Sequence, residues 1–106
     1  MKRETLKGHL DLLLLAVVST GASHGYQIAR RLAQASGNAL ELPEGTLYPA
    51  LHRLESKGLL ESSWAEVGGR RRRVYSLTES GKEALAQERL AWGSFAQAVE
   101  SVLDTV

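Results

Sequence analysis

Pro43–Leu54, PEGTLYPALHRL, decides how the rest of the chain is read. At about 100° per residue, Leu47, Leu51 and Leu54 fall on one apolar stripe of a helix. The opposite side holds Gly45, Pro49, His52 and Ser56, flanked by Thr46, Tyr48 and Arg53. It carries no bulky aliphatic residue and largely lacks the Glu–Lys pairs of a solvated helix. A helix over about 43–57 is thus anchored on one face and presents the other to a partner. Pro43 suits its first turn. Pro49 removes one backbone hydrogen bond and predicts a slight kink. No side chain near Pro43 offers an N-cap.

Upstream, Leu6 to Thr20 reads as a helix apolar almost all round, which needs cover on more than one face. His24-Gly25-Tyr26 opens a second helix running to about Ser36, with Ile28, Leu32 and Ala35 inward and Arg30, Arg31 and Gln34 outward. Gly37-Asn38 stops it, and Leu40–Leu42 is short and extended ahead of Pro43. Downstream, Leu59–Val67 alternates as a strand, Gly68-Gly69 signals a tight turn, and Arg70–Thr78 returns as a second strand. Thr78 caps a last helix, with Glu79 in its first turn. That helix runs to about Asp104 with Leu85, Trp92, Ala96, Val99 and Leu103 on its stripe, broadened by Phe95 and Val102. The order predicts a mainly α fold with a small β-hairpin (α+β). It divides into a winged helix-turn-helix over 1–78 and a C-terminal dimerisation helix over 79–106.

Composition narrows the function. The 106 residues suit one domain, or one domain plus an extension. There is no cysteine, which excludes disulfides and thiolate chemistry. The longest apolar run, Leu12–Val18, is far short of the roughly 20 residues that span a bilayer. Asp11 interrupts any secretory signal, so a cytoplasmic location is expected. Residues 1–78 hold eleven Lys and Arg against seven Asp and Glu, and residues 79–106 hold two against five. A basic front with an acidic tail suits a polyanion on one side only.

Arg70, Arg71, Arg72 and Arg73 sit at the hairpin tip, where alternation sends the first and third one way and the other two the opposite way. With few acids nearby, phosphate contact is expected; the alternative is a solvated loop that blunts a sheet edge. In the third helix, Gly45 permits close approach, Thr46 and Tyr48 can bond phosphate or a base edge, and Pro49 can touch a thymine methyl. His52 and Arg53 suit phosphate. The alternative is a protein-interaction module without DNA binding. Glu44 fits a DNA face poorly unless it accepts from a cytosine amine or serves the helix dipole. Trp92 is either dimer core or the lining of a cavity for a flat aromatic effector. Trp64 is satellite core or a platform for the wing. His24 and Gly25 read as a turn and helix start. His9, His24 and His52 share no metal-ligand spacing, and no phosphate-cradling or nucleophile-elbow motif is present. No cofactor or enzyme activity is expected.

LKGHLDLLLLAVV (Leu6–Val18), HGYQIARRL (His24–Leu32), GTLYPALHRLESKGLLES (Gly45–Ser62) and GGRRRRVYSLTESGKEAL (Gly68–Leu85) together resemble the PadR family of transcriptional regulators. The single terminal helix is similar to that of the smaller subfamily. The resemblance implies a homodimer whose terminal helices pack on the partner's first and last helices. Leu14, Leu85, Trp92, Phe95, Ala96, Val99, Val102 and Leu103 are the expected interface. It implies a repressor on an inverted repeat of double-stranded DNA, contacted through the third helix, Tyr48 included, and the wing arginines. Some relatives answer to phenolic or lipophilic aromatic effectors, and Trp92 resembles a tryptophan of the multidrug-binding ones.

Overall fold

The computed structural model describes residues 8–106. Leu6 and Lys7 of the predicted first helix lie outside them. The elements in order are α1 (Leu10–Ser19), β1 (Ser23–His24), α2 (Gly25–Ala35), α3 (Glu44–Ser56), β2 (Leu60–Val67), β3 (Arg70–Leu77) and α4 (Glu79–Leu103). The fold is α+β, with a three-stranded antiparallel sheet in the order β1-β3-β2.

The core forms where the apolar stripes of three helices meet the root of the sheet. Leu14, Leu15, Ile28, Leu47, Leu51, Leu54 and Leu60 are fully buried, each contributing about 1.5–3 kcal/mol of hydrophobic burial. In α3, Ala50 joins the three predicted leucines inside. In α2, Ile28 and Leu32 are inside as expected, whereas Ala35 is exposed. It shares their stripe but is the last residue of the helix. Leu40 and Glu41 form no strand.

Local chemistry sets the element ends. His24 caps α2 through its ring, whose Nδ1 accepts from the Gln27 N–H at 3.3 Å. Pro43 occupies the N-cap of α3 without a side-chain bond. Its carbonyl instead accepts from the N–H groups of Thr46 (2.9 Å) and Leu47 (3.0 Å). Gly68 and Gly69 lie at φ 62° and 77°, the left-handed pair that matches a two-residue hairpin turn to the twist of its strands. The register then runs unbroken from Leu60↔Leu77 to Val67↔Arg70.

The sheet differs from the predicted two-stranded hairpin. Ser23 and His24 pair with Tyr75 and Val74, adding a third strand. Two residues are too few to show an alternation in sequence, and this pair makes its ladder only because β3 is delivered beside it.

At the other end of the hairpin, Thr78 joins α4 to the rest. Its hydroxyl donates to the Gly58 carbonyl at 2.6 Å and accepts from the Gly81 N–H at 3.0 Å. Gly81 is buried against the Leu59 carbonyl and the Leu77 side chain, with no room for a Cβ. At about 1.5 Å per residue, the 25 residues of α4 outrun the core they start on. Ala84 and Leu85 still pack against that core. Beyond them Leu90, Trp92, Phe95, Val102 and Leu103 lie open, and the molecule is 55 Å long but only 20 Å thick. Among the described residues no helix is long and apolar enough to cross a membrane.

Candidate nucleic-acid interface

The outer face of α3 is built as its spacing implied. Gly45, Tyr48, Pro49, His52 and Arg53 are exposed, and Thr46 is half-buried. Tyr48 is held from behind. A Cβ added to Gly25 would stand 2.5 Å from its Cε1 and 2.9 Å from its Cζ and hydroxyl oxygen. The ring therefore rests on the bare backbone at the start of α2 and remains 44% exposed. Gly25 has a role that its local reading as a helix start does not reveal. The two residues meet only through the packing of α2 against α3.

From Tyr48 a chain of neighbours leads to the wing through β1, where Ser23 and Gly25 are buried and His24 is half-buried. Gly25 follows His24, which pairs with Val74, two positions from Arg72. His24 is held below its ordinary pKa, first by burial and then by the charges of Arg72 and Arg31. A neutral ring is what its role as an acceptor for the Gln27 N–H requires. Tyr26 stacks on the His24 ring at 6.4 Å, and Arg30 lies over Tyr26 at 6.0 Å. Arg31 is turned inward instead, donating to the Gly21 carbonyl at 3.1 Å.

The four wing arginines do not share one environment. Register places Arg71 and Arg73 on the same sheet face as Trp64, and their guanidinium carbons lie 5.1 and 5.4 Å from its ring centroid. Arg73 is also tied to the protein. Its Nε donates to Ser62 Oγ at 2.7 Å, and a terminal nitrogen lies 3.7 Å from the Glu55 carboxylate. Ser62 in turn donates to Glu55. The expectation that nearby acids are too few for pairing is thus corrected for Arg73, because α3 supplies Glu55 from outside the hairpin. Arg53 is likewise engaged, by Asp11 of α1, with Lys57 3.9 Å from the same carboxylate. Among the described residues Arg70, Arg71 and Arg72 have no carboxylate within 4 Å. Tyr75 lies beneath this network. Burial first, and then Glu55, raises its pKa.

Of the expected dimer contacts, Trp92, Phe95, Val99, Val102 and Leu103 are exposed along α4, and Ala96 is half-buried. Trp92 meets the His9 ring edge-on at 5.0 Å and Phe95 at 6.2 Å. Leu85 is half-buried against the subunit's own core. Leu14 is a correction. It has no exposed surface at all, so it holds the core together and has nothing left to offer a second chain. Elsewhere on α1, Leu12 and Ala16 are half-buried, while Leu13 and Val17 pack partly against the core. Among the described residues no group of three or more His, Asp or Glu is arranged to hold a metal.

Comparison with known proteins places this geometry. Residues 14–87 match the model of the transcriptional regulator PadR-like family. The chain is 37% identical over 97 residues to transcriptional regulator Rv3488 of Mycobacterium tuberculosis, covering 92% of this chain and 88% of that one. A PadR family transcriptional regulator from Eggerthella lenta superposes with a TM-score of 0.85 at 31% identity, over 97% of this chain and 88% of that one. A PadR family regulator from Clostridium difficile gives 0.78 at 32% identity, over 90% and 98%.

Proposed function

The chain belongs to the PadR-like family of transcriptional regulators, DNA-binding regulators rather than enzymes, and from that premise we propose a homodimeric repressor acting on an inverted-repeat operator. Residues 1–78 form its DNA-binding part and residues 79–106 its dimerisation helix. Each subunit sets the N-terminal half of α3 in a major groove, where Gly45, Thr46, Tyr48 and Pro49 face base edges and His52 faces the backbone. Arg70, Arg71 and Arg72 take flanking phosphates. The observation that carries the reading is the continuity of Tyr48, Gly25, His24 and Arg72, which joins the free face of α3 to the unpaired wing cations.

The exposed stripe of α4 supports dimerisation, since six large apolar side chains beyond the core otherwise face water. With α4 packed on the partner's α1 and α4, the two α3 helices meet half-sites about one helical turn, roughly 34–36 Å, apart. An aromatic effector at Trp92 would act by changing that spacing; quenching of tryptophan emission by phenolic compounds tests it. Such a regulator works where the DNA is, in the cytoplasm.

The rival reading is a winged-helix module that binds protein. Electrophoretic mobility shift with the DNA upstream of the gene separates the two. The expected result is a shift by the wild type that an unrelated duplex does not compete away, with Tyr48→Ala losing that preference. Binding with no preference for the upstream DNA would contradict operator recognition, and no binding would favour the rival.

A further inference from the structure

The four arginines of the wing differ in what surrounds them, and the difference assigns them different work. Arg71 and Arg73 lie on the Trp64 face of the hairpin, and Arg70 and Arg72 on the other. Trp64 is the cross-strand partner of Arg73 and the diagonal neighbour of Arg71. Its ring is half exposed, and both guanidinium carbons stand over it, at 5.1 and 5.4 Å from its centroid. Arg73 has its charge answered internally by Glu55 and Ser62, whereas Arg71, although opposite Glu66 in the register, has no carboxylate within 4 Å and stands over the ring.

Resting on the DNA-binding reading above, we propose that Trp64 is a positioning residue of the wing. It holds the Arg71 guanidinium stacked and ready as a phosphate ligand, while Arg73 is an internal strut between wing and α3. The chemistry follows from the shape of the group. A guanidinium interacts with an aromatic ring through its face, which leaves its N–H edges free for bidentate bonds to phosphate. An arginine alone on a hairpin tip gives up its rotamer freedom when it binds. One already stacked has given up part of it beforehand, so binding is tighter. Arg73 cannot serve in the same way without breaking its bond to Ser62 and leaving Glu55 beside an incoming phosphate.

A fluorescein-labelled duplex of random sequence at low salt reads this without knowledge of the operator. The proteins compared are wild type, Trp64→Tyr, Trp64→Leu, Arg71→Ala, Arg73→Ala and the Trp64→Leu/Arg71→Ala double variant. Leucine keeps apolar volume without the aromatic face, and tyrosine keeps the face. Trp64→Leu is expected to weaken binding about three- to tenfold, and Trp64→Tyr to stay close to wild type. In the Arg71→Ala background the Trp64→Leu change is expected to add nothing, because it acts through Arg71. Arg73→Ala is expected to lower the thermal midpoint and to weaken binding less than Arg71→Ala does. Wild-type affinity in Trp64→Leu overturns the proposal, as does a full additional loss in the Arg71→Ala background, since the ring would then touch DNA itself. An Arg73→Ala protein with the wild-type midpoint overturns the strut. If the wild type binds no duplex, the DNA-binding reading fails and this proposal with it; if the wild type binds and only the Trp64 results disagree, the proposal alone fails.

Discussion

The ring of Tyr48 rests on Gly25, so closely that a single methyl at Gly25 would stand 2.5 Å from the ring's Cε1. The first residue of α2 thereby fixes the pose of the most prominent side chain on α3. The buried leucines and Ile28 hold the two helices together, and the missing Cβ leaves the ring its seat between them.

Gly25→Ala therefore tests positioning apart from chemistry. The clash falls on the far end of an exposed side chain that can swing aside, so the cost lies at the low end of overpacking, about 1 kcal/mol. Urea unfolding should show a loss of that size, and the surviving folded protein should lose operator preference much as Tyr48→Ala does. Unchanged stability with unchanged operator preference would mean that Tyr48 does not depend on Gly25.

The joint at Gly81 gives a second case. A methyl there meets the Leu59 backbone, which has little freedom to move, so Gly81→Ala should destabilise by about 1–3 kcal/mol. Thr78→Ala removes the cap and its bond to Gly58, at about 1 kcal/mol. Denaturant midpoints measure both. The Gly81 variant should also loosen α4 from the hairpin, visible as faster hydrogen exchange at the start of α4.

Leu14 and Val99 separate core from interface. Leu14→Ala should cost about 2–5 kcal/mol through cavity formation while any folded protein remains dimeric. Val99→Glu should give folded monomers in sedimentation velocity, because a charge is buried only in the assembly. A dimer unaffected by Val99→Glu would remove α4 from the interface.

The His24 cap predicts a pH dependence. Its folded pKa lies below the ordinary 6.5, so the unfolded chain binds the proton more readily. Stability is then full above about pH 6.5 and falls as pH drops through the lowered folded value. Asparagine also caps helices well. His24→Asn should flatten this part of the decline in thermal midpoint between pH 8 and 5. Identical pH profiles would contradict the cap.

Much of this architecture is legible in residues that act locally. Leu47, Leu51 and Leu54 define the faces of α3 by spacing alone, Gly68-Gly69 marks the hairpin turn, and Thr78 marks the start of α4. What escapes the sequence depends on elements meeting. Arg53 with Asp11 and Arg73 with Glu55 are ion pairs between separate elements, and nothing near either arginine in the chain announces its partner. The burial of Leu14 is hidden because α1 is apolar on nearly every side, so its spacing does not choose a face. β1 exists only in the company of β3.

DNA binding by α3 and the wing through phosphates is read by fluorescence anisotropy with the duplex upstream of the gene, titrated across a salt series. Log affinity should fall linearly with log salt, with a slope near −0.9 for each phosphate contact. Arg71→Ala should make that slope shallower by about one. Affinity indifferent to salt, or a slope that Arg71→Ala leaves unchanged, would contradict DNA binding of this kind.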